Sequence, residues 1–452
     1  MRLYDTATGE VRELAQREPG TLSVYLCGPT VYGPPHLGHG RATIVYDILR
    51  RYLEWRGVRV RLVSNITDID DQIINRANRE GRPWEEIAHK CEDVWWDAMA
   101  RCGVAKPTDT PHATDYVDAM VALIGELVDR GRAYVTDDGV YLSVETVEDY
   151  GLLTHQSLDQ MLAGGGDREV FGAGNKRHPA DFALWKLAKP GEPSWPSPWG
   201  EGRPGWHTEC VVMSLDLLGE GFDLHCGGMD LRFPHHENER AQAAALGKRF
   251  ANHWMHHAFI TDTAGEKMSK SLGNVDNLLD LTDKWDPRAY RMVLLQAHYR
   301  SPAQVGPETL EPATKALARL DAMARRAADL PDAPPDQGVL DAFSARMDDD
   351  LDTPGAMAVL FDTLTKANAA IDTGAPGAAG LVAAVLSMCR AVGFELRAGD
   401  EVPDDVAVQA RALDEARAAK DFATADTIRA ALQHEGWVVE TTKQGTTVRR
   451  VR

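Results

Sequence analysis

The run Leu22-Ser-Val-Tyr-Leu26, continuing into Cys27–His39 as CGPTVYGPPHLGH, decides the fold. A short apolar segment is followed by a Gly/Pro-rich turn and then by an amphipathic run from Arg41 to Trp55. That order reads as strand, turn, helix. A helix beginning there directs unpaired backbone N–H groups, with the positive end of its dipole behind them, at whatever occupies the turn. His36 and His39 flank Leu37-Gly38 at the helix start. A phosphate-rich ligand suits such a place. On this stretch alone, an ordinary crossover with surface histidines reads the same way.

Working outward, residues 22–65 form a βαβ unit: strand 22–27, helix about 41–55, a turn at Gly57 and strand Val58–Val63. A parallel pair joined by a helix implies a doubly wound α/β sheet, whose ligands bind at the carboxyl ends of the strands. Cys27 and Ser64-Asn65 fall there. The next run, Asn65-Ile-Thr-Asp-Ile-Asp-Asp71, offers polar contacts to a ligand in the same crevice, or a helix cap from Thr67 and Asp68.

Further along, 84–101 and 115–131 read as helices and Gly139–Ser143 as a short strand. Ala163–Gly174 is a Gly-rich loop, and Asp181–Lys186 with the segment to Trp199 reads as irregular structure pinned by aromatic packing. A helix runs to Leu218, a strand covers Phe222–His225 with a turn at Cys226–Asp230, a helix spans 237–246 and a strand Trp254–Ile260. Gly265–Gly273 is a polar, basic loop carrying Lys267 and Lys270. Beyond about 286 the pattern is helical: Leu340, Phe343, Met347 and Leu351, then Met357, Leu360, Phe361 and Leu364, recur at three- and four-residue spacing as a bundle core. Residues 405–433 form further helices with Leu413, Phe422, Ala425, Ile428 and Leu432 as apolar face, and 437–450 a terminal hairpin.

The fold class is therefore α/β: a Rossmann-like doubly wound parallel sheet at 1–275 with an inserted subdomain at about 110–200. A helical connecting segment at 276–330, a helical bundle at 331–400 and a small α+β module at 401–452 follow.

The 452 residues, 44% hydrophobic and 26% charged, allow several domains and a sizeable core. No window approaches ~18 uninterrupted apolar residues, so no transmembrane helix is expected. The first residues, MRLYDTATGEVREL, have no apolar h-region, so no signal peptide is expected. Six scattered cysteines fit a reduced, cytoplasmic setting. The net charge of −19 argues against a nucleic-acid partner, except that phosphate affinity depends on local basic patches, and 441–452 carries four basic residues and no acidic one.

Two groupings carry chemistry. His235 and Glu239, four apart at a helix start, share a face. With Cys27 and Cys210 they make a plausible Zn²⁺ set, for which His236, Glu237 and Cys226 compete. His36 and His39 can donate to phosphate or ribose oxygens while the Lys267/Lys270 loop closes over the same phosphates. Fixed cations where negative charge grows are the main device of nucleotidyl transfer.

His36-Leu-Gly-His39 resembles the HIGH motif, and Lys267-Met-Ser-Lys-Ser271 the KMSKS motif, of class I aminoacyl-tRNA synthetases. Both occur in order, about 230 residues apart, on a βαβ start. The detail is similar to the cysteinyl-tRNA synthetase family: CGPTVY at 27–32, NITDIDDQI at 65–73, DFALWK at 181–186, GRPGWHTEC at 202–210, FPHHENE at 233–239, HYRSP at 298–302 and KDFATADTIRAAL at 420–432. The likeness covers nearly the whole chain. It departs at Cys226, where an all-glycine run is usual, and at Gly33, where Asp is common. Neither is a proposed ligand.

The resemblance implies one Zn²⁺ on Cys27, Cys210, His235 and Glu239 that binds the substrate thiolate, so that serine is rejected without an editing domain. It implies contacts to L-cysteine and its adenylate from Gly28, Thr67, Trp206 and Asp230. ATP contacts follow from Thr30, His36, Gly38, His39, Met268 and Lys270, with Mg²⁺. His36, His39, Lys267 and Lys270 are the expected catalytic groups. The expected activity is ATP-dependent formation of cysteinyl-adenylate and transfer to the 3′-terminal adenosine of tRNA(Cys) by a monomer that uses no membrane. The rivals are the related cysteine ligase of mycothiol synthesis, which acylates an amino-sugar inositol, a catalytically silent tRNA- or nucleotide-binding paralogue, and a protein in which zinc only staples the fold. Intact HLGH and KMSKS oppose the silent paralogue, and the 420–450 match favours the tRNA enzyme.

Overall fold

A computed structural model describes residues 1–163, 175–261, 277–397, 404–442 and 445–450. Four parallel strands form the central sheet in the order Trp254–His257, Leu224–Gly228, Thr21–Leu26, Arg59–Ser64. The chain adds Arg59–Ser64 on one side of the first strand and later adds Leu224–Gly228 on the other. Strand order thus reverses at the carboxyl end of Thr21–Leu26, where a doubly wound sheet opens a crevice. Cys27 is the first residue beyond that end.

The helix after the turn spans Leu37–Trp55, beginning four residues before the expected Arg41. The reason is a reciprocal cap. The His36 ring accepts from the His39 amide (3.4 Å), and the His39 ring accepts from the His36 amide (3.3 Å). Thr67 and Asp68 do not cap the next helix, Asp71–Glu80; Asp70 does, accepting from Gln72 N at 2.8 Å. Thr67 is committed to Glu209 and Asp68 to Thr114.

The expected turn at 226–230 begins only at Met229: the strand continues through Gly228, because Cys226 pairs with both Leu26 and Met255. An added Cβ on Gly227 would meet the His236 ring at 2.6 Å, which explains a glycine there. The Asp181–Lys186 run is likewise not irregular. Phe182–Leu187 is an inner strand of a second, antiparallel sheet, between Gly139–Leu142 and Gly202–Pro204, with Ala133–Val135 at the edge. Trp185 is fully buried in it. The partner strand at 202–204 lies beyond the expected end of the insertion. The Gly-rich loop expected at 163–174 falls, beyond Ala163, outside the described residues.

Helices Pro307–Arg326, Gln337–Met347, Thr353–Thr373 and Ala378–Ala391 form the bundle. Of its expected stripe, Phe361 is partly buried and the other seven residues are buried. One apolar cluster runs from the sheet (Leu22, Val24) through the Leu37–Trp55 helix (Leu49, Tyr52) into the bundle (Phe343, Leu360, Met388). Trp55 Nε1 donates to Ser387 Oγ at 3.0 Å across that joint. Asp404–Ala418, Phe422–His434 and the hairpin Trp437–Thr442/Gly445–Arg450 form a module with its own small core, including Leu432 and Trp437. Phe422 does not belong to it. As the first residue of its helix it overshoots the core and is 63% exposed. No described helix is long and apolar enough to cross a membrane.

Candidate active site

Four side chains converge at the strand-order reversal. Cys27 comes from the end of the first strand and Cys210 from the helix Trp206–Leu218. His235 and Glu239 come from one turn either side of the start of Glu237–Ala245. Their donor atoms all lie within 4.8 Å of one another. Sγ of Cys27 is 3.7 Å from Sγ of Cys210 and 3.4 Å from Glu239 Oε1. His235 Nε2 is 3.5 Å from the Cys210 sulfur and 3.0 Å from Glu239 Oε1. A tetrahedral ion with Zn–S bonds of ~2.3 Å sets two thiolates about 3.8 Å apart, so the observed spacing fits such an ion.

The charges agree. Burial alone would raise the Cys210 thiol, but Cys27 and His235 bring it down to about 6. Burial lowers His235, but Glu239 and Cys210 outweigh it and raise the ring to about 10. The pocket thus pairs one thiolate, Cys210, with an imidazolium and keeps Cys27 protonated, so a metal bound by all four groups would displace protons from Cys27 and His235. Two outer contacts fix two of the four side chains: His207 Nδ1 lies 2.9 Å from His235 Nδ1, and His225 Nε2 lies 2.7 Å from the other Glu239 oxygen. A second grouping, Cys27, His225, His236 and Glu239, shares two members. Its His225 already holds Glu239 and its His236 is engaged with His256 at 2.8 Å, which leaves the two-thiol set as the softer site. Cys226, the remaining candidate, is a buried residue of the apolar core, and Glu237 is paired with Arg240 at 2.8 Å.

Sequence reasoning placed Asn65 at the crevice without giving it a particular role, and passed over Glu209. Asn65 Oδ1 accepts from Gly28 N at 2.9 Å and lies 3.7 Å from the Cys210 sulfur, while its amide donates to Thr67 Oγ1 at 3.1 Å. Thr67 in turn donates to Glu209 Oε2 at 2.7 Å. Burial pushes the Glu209 carboxyl well above its usual range, and the neighbouring Cys210 adds to the rise. Both residues sit inside quoted runs, 65–73 and 202–210, which was the available signal. Main-chain bonds from Val31 N to Thr67 O (3.1 Å) and Thr67 N to Pro29 O (3.0 Å) fasten the two strand ends together. An added Cβ on Gly28 would overlap the Asn65 carbonyl, so only glycine fits.

A cleft of about 400 Å³ opens beside Cys27. Gly28, Thr30, His36, Gly38, His39 and Asp230 line it, together with Cys27. Trp206 stands at its mouth, stacked on His235 at 4.0 Å. Thr67 is not in the lining; it is 1% exposed, one layer behind. The His36 and His39 rings stack at 3.7 Å. Because each Nδ1 accepts a backbone N–H, a neutral ring carries its proton on Nε2. Lys267, Met268 and Lys270 lie outside the described residues.

Crevice, capped helix and cleft together suit a nucleotide at the strand-order reversal. Residues 13–315 match the model of the class I (C) tRNA synthetase catalytic domain, and 342–396 match the DALR domain. Cysteine–tRNA ligases of Streptomyces avermitilis and Kocuria rhizophila are 42% and 44% identical, over 98% of this chain and 98% of each relative. Among solved structures, Mycobacterium tuberculosis methionyl-tRNA synthetase with methionyl-adenylate superposes with a TM-score of 0.59 at 16% identity, over 82% of this chain and 89% of that one. The chain belongs to the cysteine–tRNA ligase family.

Proposed function

We propose that this chain activates L-cysteine with ATP and transfers it to the 3′-terminal adenosine of tRNA(Cys). The carrying observation is that two thiols, an imidazole and a carboxylate converge at tetrahedral spacing on the same cleft that the HLGH helix faces. Cys27, Cys210, His235 and Glu239 would hold one Zn²⁺. A bound zinc ion supplies a Lewis acid that prefers a thiolate to an un-ionised hydroxyl, which selects cysteine over serine.

Trp206 and Asp230 bound the space for the rest of the amino acid, and Gly28 lets its backbone approach closely. Thr67, held by Asn65 and Glu209, stiffens the floor beneath Gly28. Thr30, Gly38 and the helix N-terminus receive ATP with its Mg²⁺. His36 and His39 donate to phosphate oxygens as the α-phosphate is attacked by the cysteine carboxylate and pyrophosphate leaves. By likeness, Lys267, Met268 and Lys270 approach the same phosphates. The bundle and the terminal module meet the tRNA. Six free cysteines support work in a reducing compartment.

The experiment is charging of tRNA(Cys) transcript with radiolabelled cysteine. Acid-precipitable, ATP-dependent cysteinyl-tRNA is expected. Cysteine-dependent ATP–pyrophosphate exchange without charging, accompanied by amide formation on glucosaminyl-inositol, would contradict the tRNA step.

A further inference from the structure

The His298–Pro302 run stands outside both chemical steps, yet its carbonyls meet at one buried residue. Arg41, two positions past His39, is 1% exposed. Its Nη1 donates to Phe259 O at 2.5 Å, and its Nη2 to Tyr299 O at 3.0 Å and Ser301 O at 2.6 Å. Among the described residues Arg41 makes no ion pair, burial and two tyrosines being what act on its charge, and its Nε has no hydrogen-bond partner. Burial lowers the guanidinium to about 10, so it stays charged at neutral pH.

The same carbonyls also join the two segments to each other. Phe259 O accepts from Ala303 N at 3.1 Å, and Tyr299 O from Ala258 N at 2.8 Å. Ala258, Phe259 and Ile260 form one wall of the cleft; His36 caps, and Gly38 and His39 begin, the helix that carries Arg41, which itself reaches the lining between the two. A buried cation without a counter-ion is costly, and an apolar side chain of similar size would pack there at less cost. What an apolar residue lacks is a planar fork that spans three carbonyls from two segments.

We propose that Arg41 is a positioning residue for ATP. It fixes the Ala258–Ile260 wall, through Phe259 and the 299–301 turn, at a set distance from the helix start that carries His36 and His39. The width of the nucleotide slot follows from that distance. The proposal rests on the ATP-dependent reading above.

The test is cysteine-dependent ATP–pyrophosphate exchange by the full chain with Arg41→Lys and Arg41→Met, alongside thermal unfolding. Lysine keeps the charge but loses the fork. Both variants should raise KM for ATP about tenfold while KM for L-cysteine stays within about twofold. ATP titration of wild type and Arg41→Lys without cysteine should give the same ratio, and it decides the matter where Arg41→Met does not fold. Arg41→Lys indistinguishable from wild type, or a parallel rise in both KM values, would overturn the proposal while leaving the ligase reading intact. Wild type without cysteine-dependent exchange would overturn both.

Discussion

The sulfurs of Cys27 and Cys210 stand 3.7 Å apart, although 183 residues separate them in the chain. A strand end and a helix have been brought to the spacing of two ligands on one tetrahedral ion. Cys27→Ser should therefore reduce bound zinc from one per chain to a small fraction, and lower kcat/KM for cysteine at least about 100-fold. ATP affinity should change little. Atomic absorption and exchange kinetics check this together; equal loss of cysteine and ATP binding would indicate a metal that only holds the fold.

Gly28→Ala forces a Cβ into the Asn65 carbonyl, where neither strand end can yield. Urea unfolding should show a loss of at least about 3 kcal/mol. Gly125→Ala is the matched control. Gly125 lies inside the helix Val117–Asp129 with open space around its Cβ position, so that substitution should stabilise by ~0.5–1 kcal/mol.

His36 has two separable duties. His36→Ala removes the cap of Leu37–Trp55 and should cost about 1 kcal/mol in unfolding, whereas His36→Asn keeps a capping acceptor and should cost less. Both variants should lose exchange activity about 100-fold, because neither places an imidazole N–H beside the phosphates. Activity retained by the Asn variant would assign His36 to capping alone.

Asp286 caps the helix Pro287–Leu295 and pairs with Arg288 and Arg397, each at 2.8 Å. Burial pushes its carboxyl up, but Arg288 and Arg397 outweigh that and leave it below the usual range. A depressed carboxylate contributes stability that is present above the unfolded-state value, ~3.9, and is lost as pH falls through the folded value. Asp286→Asn keeps the cap and removes the charge. Denaturant unfolding should show a deficit against wild type at pH 7 that narrows as pH falls below ~4. A deficit independent of pH would assign the effect to packing.

The strand-turn-helix at 21–55 was legible because its signals are local: an apolar run, glycines and prolines, then helical periodicity. The bundle stripe from Leu340 to Leu364 was legible for the same reason. Phe182–Leu187 was misread because its strand character comes from partners at 139–142 and 202–204, and the tryptophans and prolines that follow it up to Trp199 made the whole stretch read as irregular. The helix start moved from Arg41 to Leu37 because two histidines act as caps, a role residue type alone does not advertise. In the site, composition and spacing offered several possible ligands, and the four that converge were singled out by resemblance. Asn65 was placed at the crevice but its role, like Glu209 altogether, stayed hidden since their work is to hold Gly28 and Thr67, which only the folded chain brings to them.

The most direct test of the central claim is ATP–pyrophosphate exchange by the zinc-loaded protein with L-cysteine and with L-serine, before and after chelation and after zinc is restored. Exchange with cysteine should exceed exchange with serine by at least about 10⁴-fold, vanish on chelation and return with zinc. Undiminished exchange in the chelated protein, or comparable rates with serine, would contradict selection of the substrate thiolate by a metal at Cys27, Cys210, His235 and Glu239.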